Sequence, residues 1–194
     1  MHNEHKNHQG SKHHHGKVSY LESAKRREEL SPEKLLSLIP LKATDRILDF
    51  GAGTGYFSIP AAKLVNGPVY AMDIDESMLE IIALKAQQQH ITNIVPIHGS
   101  DAELLLPEAS IDVAIASLVL HEIEPLAPVL NQIKKVLKDG GSLVCIELEP
   151  KGQPSHKAPR ITLAGMERAL VDAGMRITQK HFPTDSLYVL IAQK

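Results

Sequence analysis

The sequence predicts an α/β fold: a Rossmann-like three-layer sandwich with a mostly parallel sheet covered by helices on both faces. Three observations predict it. From Asp45 onward, short apolar strand patterns alternate with helical ones. Glycine-rich or acidic turns follow the first three strands, where the binding crevice of such a sheet lies. The chain closes on two strand patterns joined by a short link, and those two must be antiparallel. At 194 residues, 43% hydrophobic and 23% charged, the chain suits one domain with a sizeable core.

The elements follow in order. Ser31-Pro32-Glu33 is a helix start, with Ser as N-cap, Pro at the first helical position and an acid in the first turn. Leu35, Leu36, Leu38 and Ile39 give that helix an apolar stripe, and Pro40 stops it. Residues 46–50 form a strand and 54–65 a helix starting directly after the glycine-rich turn. Asn66-Gly67-Pro68 breaks the pattern before a strand at 69–73. A helix at 77–89 and a strand at 94–98 follow. Pro107 to Ser110 make a polar turn into the strand at 111–117. Residues 125–137 read as a helix, with Leu126, Val129, Leu130, Ile133, Val136 and Leu137 in register, ended by Asp139-Gly140-Gly141. Residues 142–148 are the fifth strand and 162–173 the last helix. Strands at 175–181 and 187–192 complete the chain.

Residues 1–17 differ from all that follows. Six of the 11 histidines lie there: His2, His5, His8, His13, His14 and His15. No apolar residue follows Met1 until Val18, so this tail has nothing to bury and is expected to be disordered. Imidazole suits Zn²⁺, Ni²⁺ or Cu²⁺, so the tail is a candidate divalent-metal binder, and a purification-tag remnant is the competing explanation. Residues 18–194 are expected to be one domain, with 18–40 a helical segment that folds over the crevice as a lid or lies on the surface.

Composition excludes several classes of function. The net charge of −2, with seven aromatics and no Trp, gives neither a basic stripe nor a base-stacking platform for nucleic acid. A single cysteine, Cys145, excludes an internal disulfide framework and a cysteine-cluster metal site. The polar N-terminus is not a signal peptide, and no apolar run approaches the ~20 residues of a membrane span. A cytoplasmic protein is expected.

The chemistry is expected just after the strands. Asp49-Phe50-Gly51-Ala52-Gly53-Thr54-Gly55-Tyr56 places three glycines at alternate positions, which lets the backbone turn tightly against a ligand. A nicotinamide dinucleotide site asks for glycine where Tyr56 stands, and a P-loop asks for Gly-Lys-Ser/Thr. The loop therefore suits a nucleoside without a pyrophosphate clamp. Asp73, ending the next strand, can accept both hydroxyls of a ribose or stand as a solvated acid; for Asp75 the solvated reading is preferred. Asp101, after the third strand, can accept from an exocyclic amine or cap a helix.

Three such stations after successive strands carry a resemblance. The runs ILDFGAGTGYFSIPAA, VYAMDIDESML, IHGSDAELLLPEASIDVAIASLVLHEI and IKKVLKDGGSLVCIE resemble the class I S-adenosylmethionine-dependent methyltransferases. Within them the chain is most similar to the ubiquinone/menaquinone-biosynthesis branch, closely over about residues 45–148. The resemblance implies a seven-stranded sheet of order 3-2-1-4-5-7-6 with the last strand antiparallel. It implies S-adenosyl-L-methionine as cofactor and S-adenosyl-L-homocysteine as product. Asp49, Gly51, Ala52, Gly53, Gly55 and Tyr56 would surround the methionine part, Asp73 the ribose and Asp101 the adenine amine. Ile74, Met78 and Ala102 would wall the adenine, and Ser117 would lie under the transferring methyl.

No catalytic residue is dictated, because the methyl donor is already activated and positioning can supply most of the acceleration. His121 and Glu122, after the fourth strand, are the candidates for a base or a substrate ligand. The alternative is that His121 packs or caps locally. Arg160 and His156, in the loop before the last helix, are candidate contacts for a polar acceptor; for Lys157 a solvated role is preferred. Thr162 is a candidate N-cap of that helix. Cys145 reads as a buried structural thiol. The function expected is methyl transfer to a small-molecule acceptor. The alternative from another class is a non-catalytic nucleoside-binding module with a metal-binding tail.

Overall fold

The computed structural model describes residues 31–99, 104–150 and 160–194. The expected tail and the first part of the helical segment at 18–40 lie outside these residues. Seven strands form one sheet: β1 (Ile47–Phe50), β2 (Val69–Asp73), β3 (Ile94–His98), β4 (Ile111–Ser117), β5 (Leu137–Leu148), β6 (Arg176–Thr184) and β7 (Leu187–Gln193). Their order is β3-β2-β1-β4-β5-β7-β6, with β7 antiparallel to both its neighbours. The order reverses between β1 and β4, so β1 and β4 open the crevice between them at their carboxyl ends.

Side-chain alternation splits the core between the two faces of the sheet. Val113 and Ile115 of β4 join Val144 and Ile146 of β5 on one face. There they meet α1 (Pro32–Leu36) and α2 (Ser58–Leu64), while α3 (Glu76–Gln88) packs beside α2 against β2 and β3. Ala114, Ala116, Leu143 and Cys145 face the other way, onto α4 (Leu126–Val136) and α5 (Leu163–Asp172). Helix α4 presents Val129, Leu130, Ile133 and Val136 as its buried stripe. No helix among the described residues is long and apolar enough to cross a membrane.

The caps follow the sequence. Ser31 accepts from the Lys34 amide with Pro32 behind it, and Thr162 Oγ1 accepts from the Gly165 amide at 3.0 Å to start α5. Four boundaries differ from expectation by more than one residue. Helix α1 ends at Leu36, short of Pro40. Helix α2 starts at Ser58 rather than Thr54, because residues 53–57 continue the glycine-rich loop as turns. Strand β5 begins at Leu137, directly on the end of α4. Asp139-Gly140-Gly141 is therefore a bulge inside β5, where the register against β4 shifts from Ile111↔Leu137 to Val113↔Ser142. Strand β6 runs on to Thr184 through an irregularity around Phe182-Pro183, which an edge strand tolerates.

Candidate functional site

A crevice lies at the carboxyl ends of β1, β2 and β4. It is lined by Asp49, Gly51, Ala52, Gly53, Tyr56, Asp73, Ile74, Ser117 and Glu122 of the expected residues. Phe50, Phe57, Met72, Gly99, Leu118, Val119 and Ile123 also line it; the sequence did not single these out. Its volume is about 200 Å³. A larger groove of about 590 Å³ lies beyond Tyr56, which borders both. That groove runs over α1, α2 and α3 and meets none of the strand ends that hold the acidic stations, so the smaller crevice is the candidate site.

The glycine-rich loop is held from below by its own amides. Gly51 and Ala52 both donate to the Met72 carbonyl at 2.9 Å, and Gly55 donates to Ala52 at 2.9 Å. Gly53, at φ 53°, donates to Asp73 Oδ2 at 2.7 Å. These N–H groups are spent within the fold, so the loop has no nest of free donors for a pyrophosphate. Lys85 of α3 reaches under the loop and donates to the Thr54 carbonyl at 2.8 Å. Gly55 does not line the crevice. A Cβ there would stand 3.0 Å from Ile82 and 3.2 Å from Ile59, so this glycine lets the loop close onto α2 and α3.

The acids divide their labour. Asp49 is 2% exposed and accepts from Ser58 Oγ at 2.5 Å, which fixes its carboxylate at the crevice floor. Asp73 accepts from Gly53 through Oδ2 and from the Asp75 amide through Oδ1 at 3.0 Å. A carboxylate has about four acceptor sites, so each oxygen keeps one for a further donor. Asp75 is the N-cap of α3, taking the Ser77 amide at 3.1 Å and its hydroxyl at 2.7 Å, rather than the solvated acid expected from the sequence. Ile74 stands 71% exposed on the lip, its carbonyl tied to His98 Nε2 at 3.0 Å. Met78 is 1% exposed inside α3 and does not line the crevice. Asp101, Ala102 and His156 lie outside the described residues.

Above β4 the chain turns sharply. Leu118 adopts φ 55°, a left-handed conformation that costs a branched residue about 1–2 kcal/mol. It donates to Ile146 at 2.8 Å and leads into a short 3₁₀ turn, Leu120–Glu122. Ser117 Oγ, just before it, is buried and has no hydrogen-bond partner among the described residues. A buried hydroxyl left unpaired costs about 1–3 kcal/mol.

His121 is not part of the crevice lining. Its ring is buried behind the 3₁₀ turn, with Nδ1 2.7 Å from Oε2 of Glu147 on β5. Glu147 is 0% exposed, and its Oε1 takes the His121 amide at 3.4 Å. An Arg160 guanidinium nitrogen lies 3.5 Å from His121 Nε2, and Glu122 Oε1 lies 4.0 Å from it. Expected residues His121, Glu122 and Arg160 are thus brought together, and Glu147 is the partner that sequence reasoning missed. Its signal was an acid within the otherwise apolar run LVCIEL. Burial first, and then the Glu147 charge, push the Cys145 thiol far up, so this cysteine is an inert core residue. Among the described residues no cluster of His, Cys, Asp or Glu could hold a metal ion.

The crevice fits S-adenosylmethionine by the chemistry of its groups. Asp73 keeps unused acceptor sites, Asp49 presents a carboxylate fixed by Ser58, and Ser117 Oγ has no hydrogen-bond partner among the described residues, a donor and acceptor set compatible with a ribose and an ammonium.

The model of the methyltransferase domain family matches residues 48–145. The demethylmenaquinone methyltransferase of Listeria welshimeri is 29% identical over 127 residues, covering 64% of this chain and 54% of that one. The enzyme of the same name from Geobacillus kaustophilus is 30% identical over 117 residues, covering 59% and 50%. The chain thus spans about half the length of these curated relatives. Among solved structures, an S-adenosylmethionine-dependent methyltransferase from Aquifex aeolicus superposes with a TM-score of 0.83 at 24% identity, covering 91% of this chain and 96% of that one. The [4+2]-cyclase SpnF superposes with a TM-score of 0.75 at 19% identity, covering 86% and 81%. The fold is thus shared by proteins described by different reactions, and it is the family match over the strand-end stations that decides membership. The chain belongs to the methyltransferase domain family.

Proposed function

We propose that the protein transfers a methyl group from S-adenosylmethionine to a small-molecule acceptor. The observation that carries this is the set of groups left unsatisfied in one crevice: the spare acceptor sites of Asp73 beside the Gly53 amide, and the unpartnered hydroxyl of Ser117. The cofactor supplies a methyl group already activated on a sulfonium. Asp49, Gly51, Ala52, Gly53 and Tyr56 hold its amino-acid end, Asp73 its ribose, and Ile74 with Asp101 and Ala102 its base. Ser117 and Glu122 border the end where an acceptor arrives, and positioning of that acceptor supplies the rate. The demethylmenaquinone methyltransferases, by name, act on a quinone; an aromatic acceptor is one class to include in a screen.

The test is a calorimetric titration with S-adenosylmethionine, with NAD as control and the Asp73→Ala variant alongside. Micromolar binding by the wild type, lost in the variant, is the expected result. Binding of NAD, or of neither, would overturn the reading.

A further inference from the structure

We infer that Glu147 is a positioning residue that turns His121 into a proton acceptor, and that the methyl acceptor reacts through a hydroxyl that must lose its proton. This rests on the methyl-transfer reading above.

The argument starts from the cost of Glu147. A carboxylate with no exposed surface is expensive unless it is paired and hydrogen-bonded. Here both its oxygens are directed at one residue, Oε1 at the His121 amide and Oε2 at Nδ1. An ionised carboxylate only accepts, so Nδ1 carries the proton and donates it. In the neutral ring Nε2 is then the lone-pair nitrogen. A carboxylate behind a histidine fixes tautomer and orientation and stabilises the imidazolium formed when the ring takes a proton. A histidine that only packed would need no buried acid.

The direction of Nε2 gives the rest. Its neighbours are Glu122, which lines the crevice, and Arg160 ahead of α5. The Arg160 contact of 3.5 Å is long for a hydrogen bond, so a hydroxyl at a shorter distance displaces it from Nε2. The guanidinium then stays beside the same oxygen, where it favours the negative charge that develops as the proton leaves. The balance is complete with these groups. The acceptor oxygen forms a bond to the methyl carbon, the carbon–sulfur bond breaks and its electron pair stays on sulfur. The hydroxyl proton passes to His121 Nε2. The positive charge lost from the sulfonium reappears on the imidazolium, beside the Glu147 carboxylate.

The test uses the full chain. Binding of S-adenosylmethionine by wild type, His121→Asn and Glu147→Gln is measured first; absent binding in the wild type refutes the methyl-transfer reading itself. Turnover is then followed as S-adenosylhomocysteine release with catechol, whose hydroxyl is protonated at neutral pH, and with thiophenol, which is largely ionised there. With catechol, kcat is expected to fall roughly 100-fold or more in His121→Asn and at least about tenfold in Glu147→Gln. KM for catechol stays within about twofold, and thiophenol turnover falls at least about tenfold less than catechol turnover does. Glu147→Asp, which keeps the charge, recovers part of the loss. Nitrogen-15 spectra of the wild type, which require neither an acceptor nor a folded variant, are expected to show His121 protonated at Nδ1 and bare at Nε2. The inference is overturned if cofactor binds yet catechol is not methylated, if His121→Asn keeps wild-type kcat, or if the ring is protonated at Nε2.

Discussion

Val119 closes over Gly51 so tightly that a Cβ at position 51 would stand 2.5 Å from Val119 Cγ2. The contact joins the two loops that form the crevice, one after β1 and one after β4. Gly51 also sits at φ 72°, in the left-handed region. Gly51→Ala therefore meets a clash and a backbone penalty together, worth about 2–4 kcal/mol. The expected outcome is a lowered urea midpoint and loss of S-adenosylmethionine binding. A variant that binds normally would show that the two loops separate freely.

Lys85 acts from outside the crevice. It does not line the site, yet its Nζ holds the Thr54 carbonyl in the glycine-rich loop at 2.8 Å. Lys85→Met keeps most of the side-chain bulk and removes that bond. A hydrogen bond from a charged group is worth about 1.5–3 kcal/mol, less where solvent replaces it. Cofactor affinity is expected to weaken severalfold in calorimetry with the crevice-lining residues unchanged. Unaltered affinity would mean the loop keeps its shape without this support.

Asp112 makes a pH-dependent clasp at the start of the sheet. Its two oxygens take Lys138 Nζ at 2.7 and 2.8 Å, and Oδ2 also takes the Arg46 amide at 2.9 Å. Burial pushes its carboxyl up, but the Lys138 bond, the Arg46 amide and both cationic charges together win and hold it below the ordinary 3.8. A value depressed by folding stabilises the fold above the unfolded value and ceases to do so as pH falls through the folded one. The pair is partly exposed, so about 0.5–1 kcal/mol is expected. Denaturant midpoints of wild type and Asp112→Asn should differ at pH 7 and converge as the pH drops below about 3. A gap that persists in acid would assign the effect to something other than this charge.

The sheet and its stations could be read from the chain because they are local signals. Apolar strands give way to a glycine-rich turn at Gly51 and to polar residues at Asp73 and Ser117, and the alternation of Val113 and Ile115 with Ala114 and Ala116 marks a strand covered on both faces. The start of β5 was not legible. Leu137 satisfies the helical stripe of α4 as well as a strand, and Asp139-Gly140-Gly141 imitates a loop; only pairing with Ile111 and Val113 makes it a bulge. Glu147 was hidden for a similar reason. An acid in a strand is visible in the sequence, but its partner lies 26 residues away on another loop, and no local pattern joins them. Gly55 had the opposite fault: it fits the ligand-loop spacing, while its lack of a Cβ serves packing against Ile82.

Ser117 offers the sharpest separation of folding from function. Its hydroxyl is buried at the crevice without a partner among the described residues, so it burdens the fold it sits in. Ser117→Ala removes the unpaired group and keeps the backbone turn into Leu118. The variant is expected to be as stable as the wild type or more so, by up to about 1 kcal/mol. It should nevertheless bind S-adenosylmethionine more weakly or turn over more slowly, because in the proposed site the hydroxyl would find its partner only when the cofactor is bound. Thermal melts with and without cofactor give both numbers in one experiment. A stabilised variant whose cofactor-induced shift in Tm is smaller places the hydroxyl in the site. A destabilised variant with an unchanged shift would make Ser117 an ordinary part of the β4 end and withdraw it from the cofactor's surroundings.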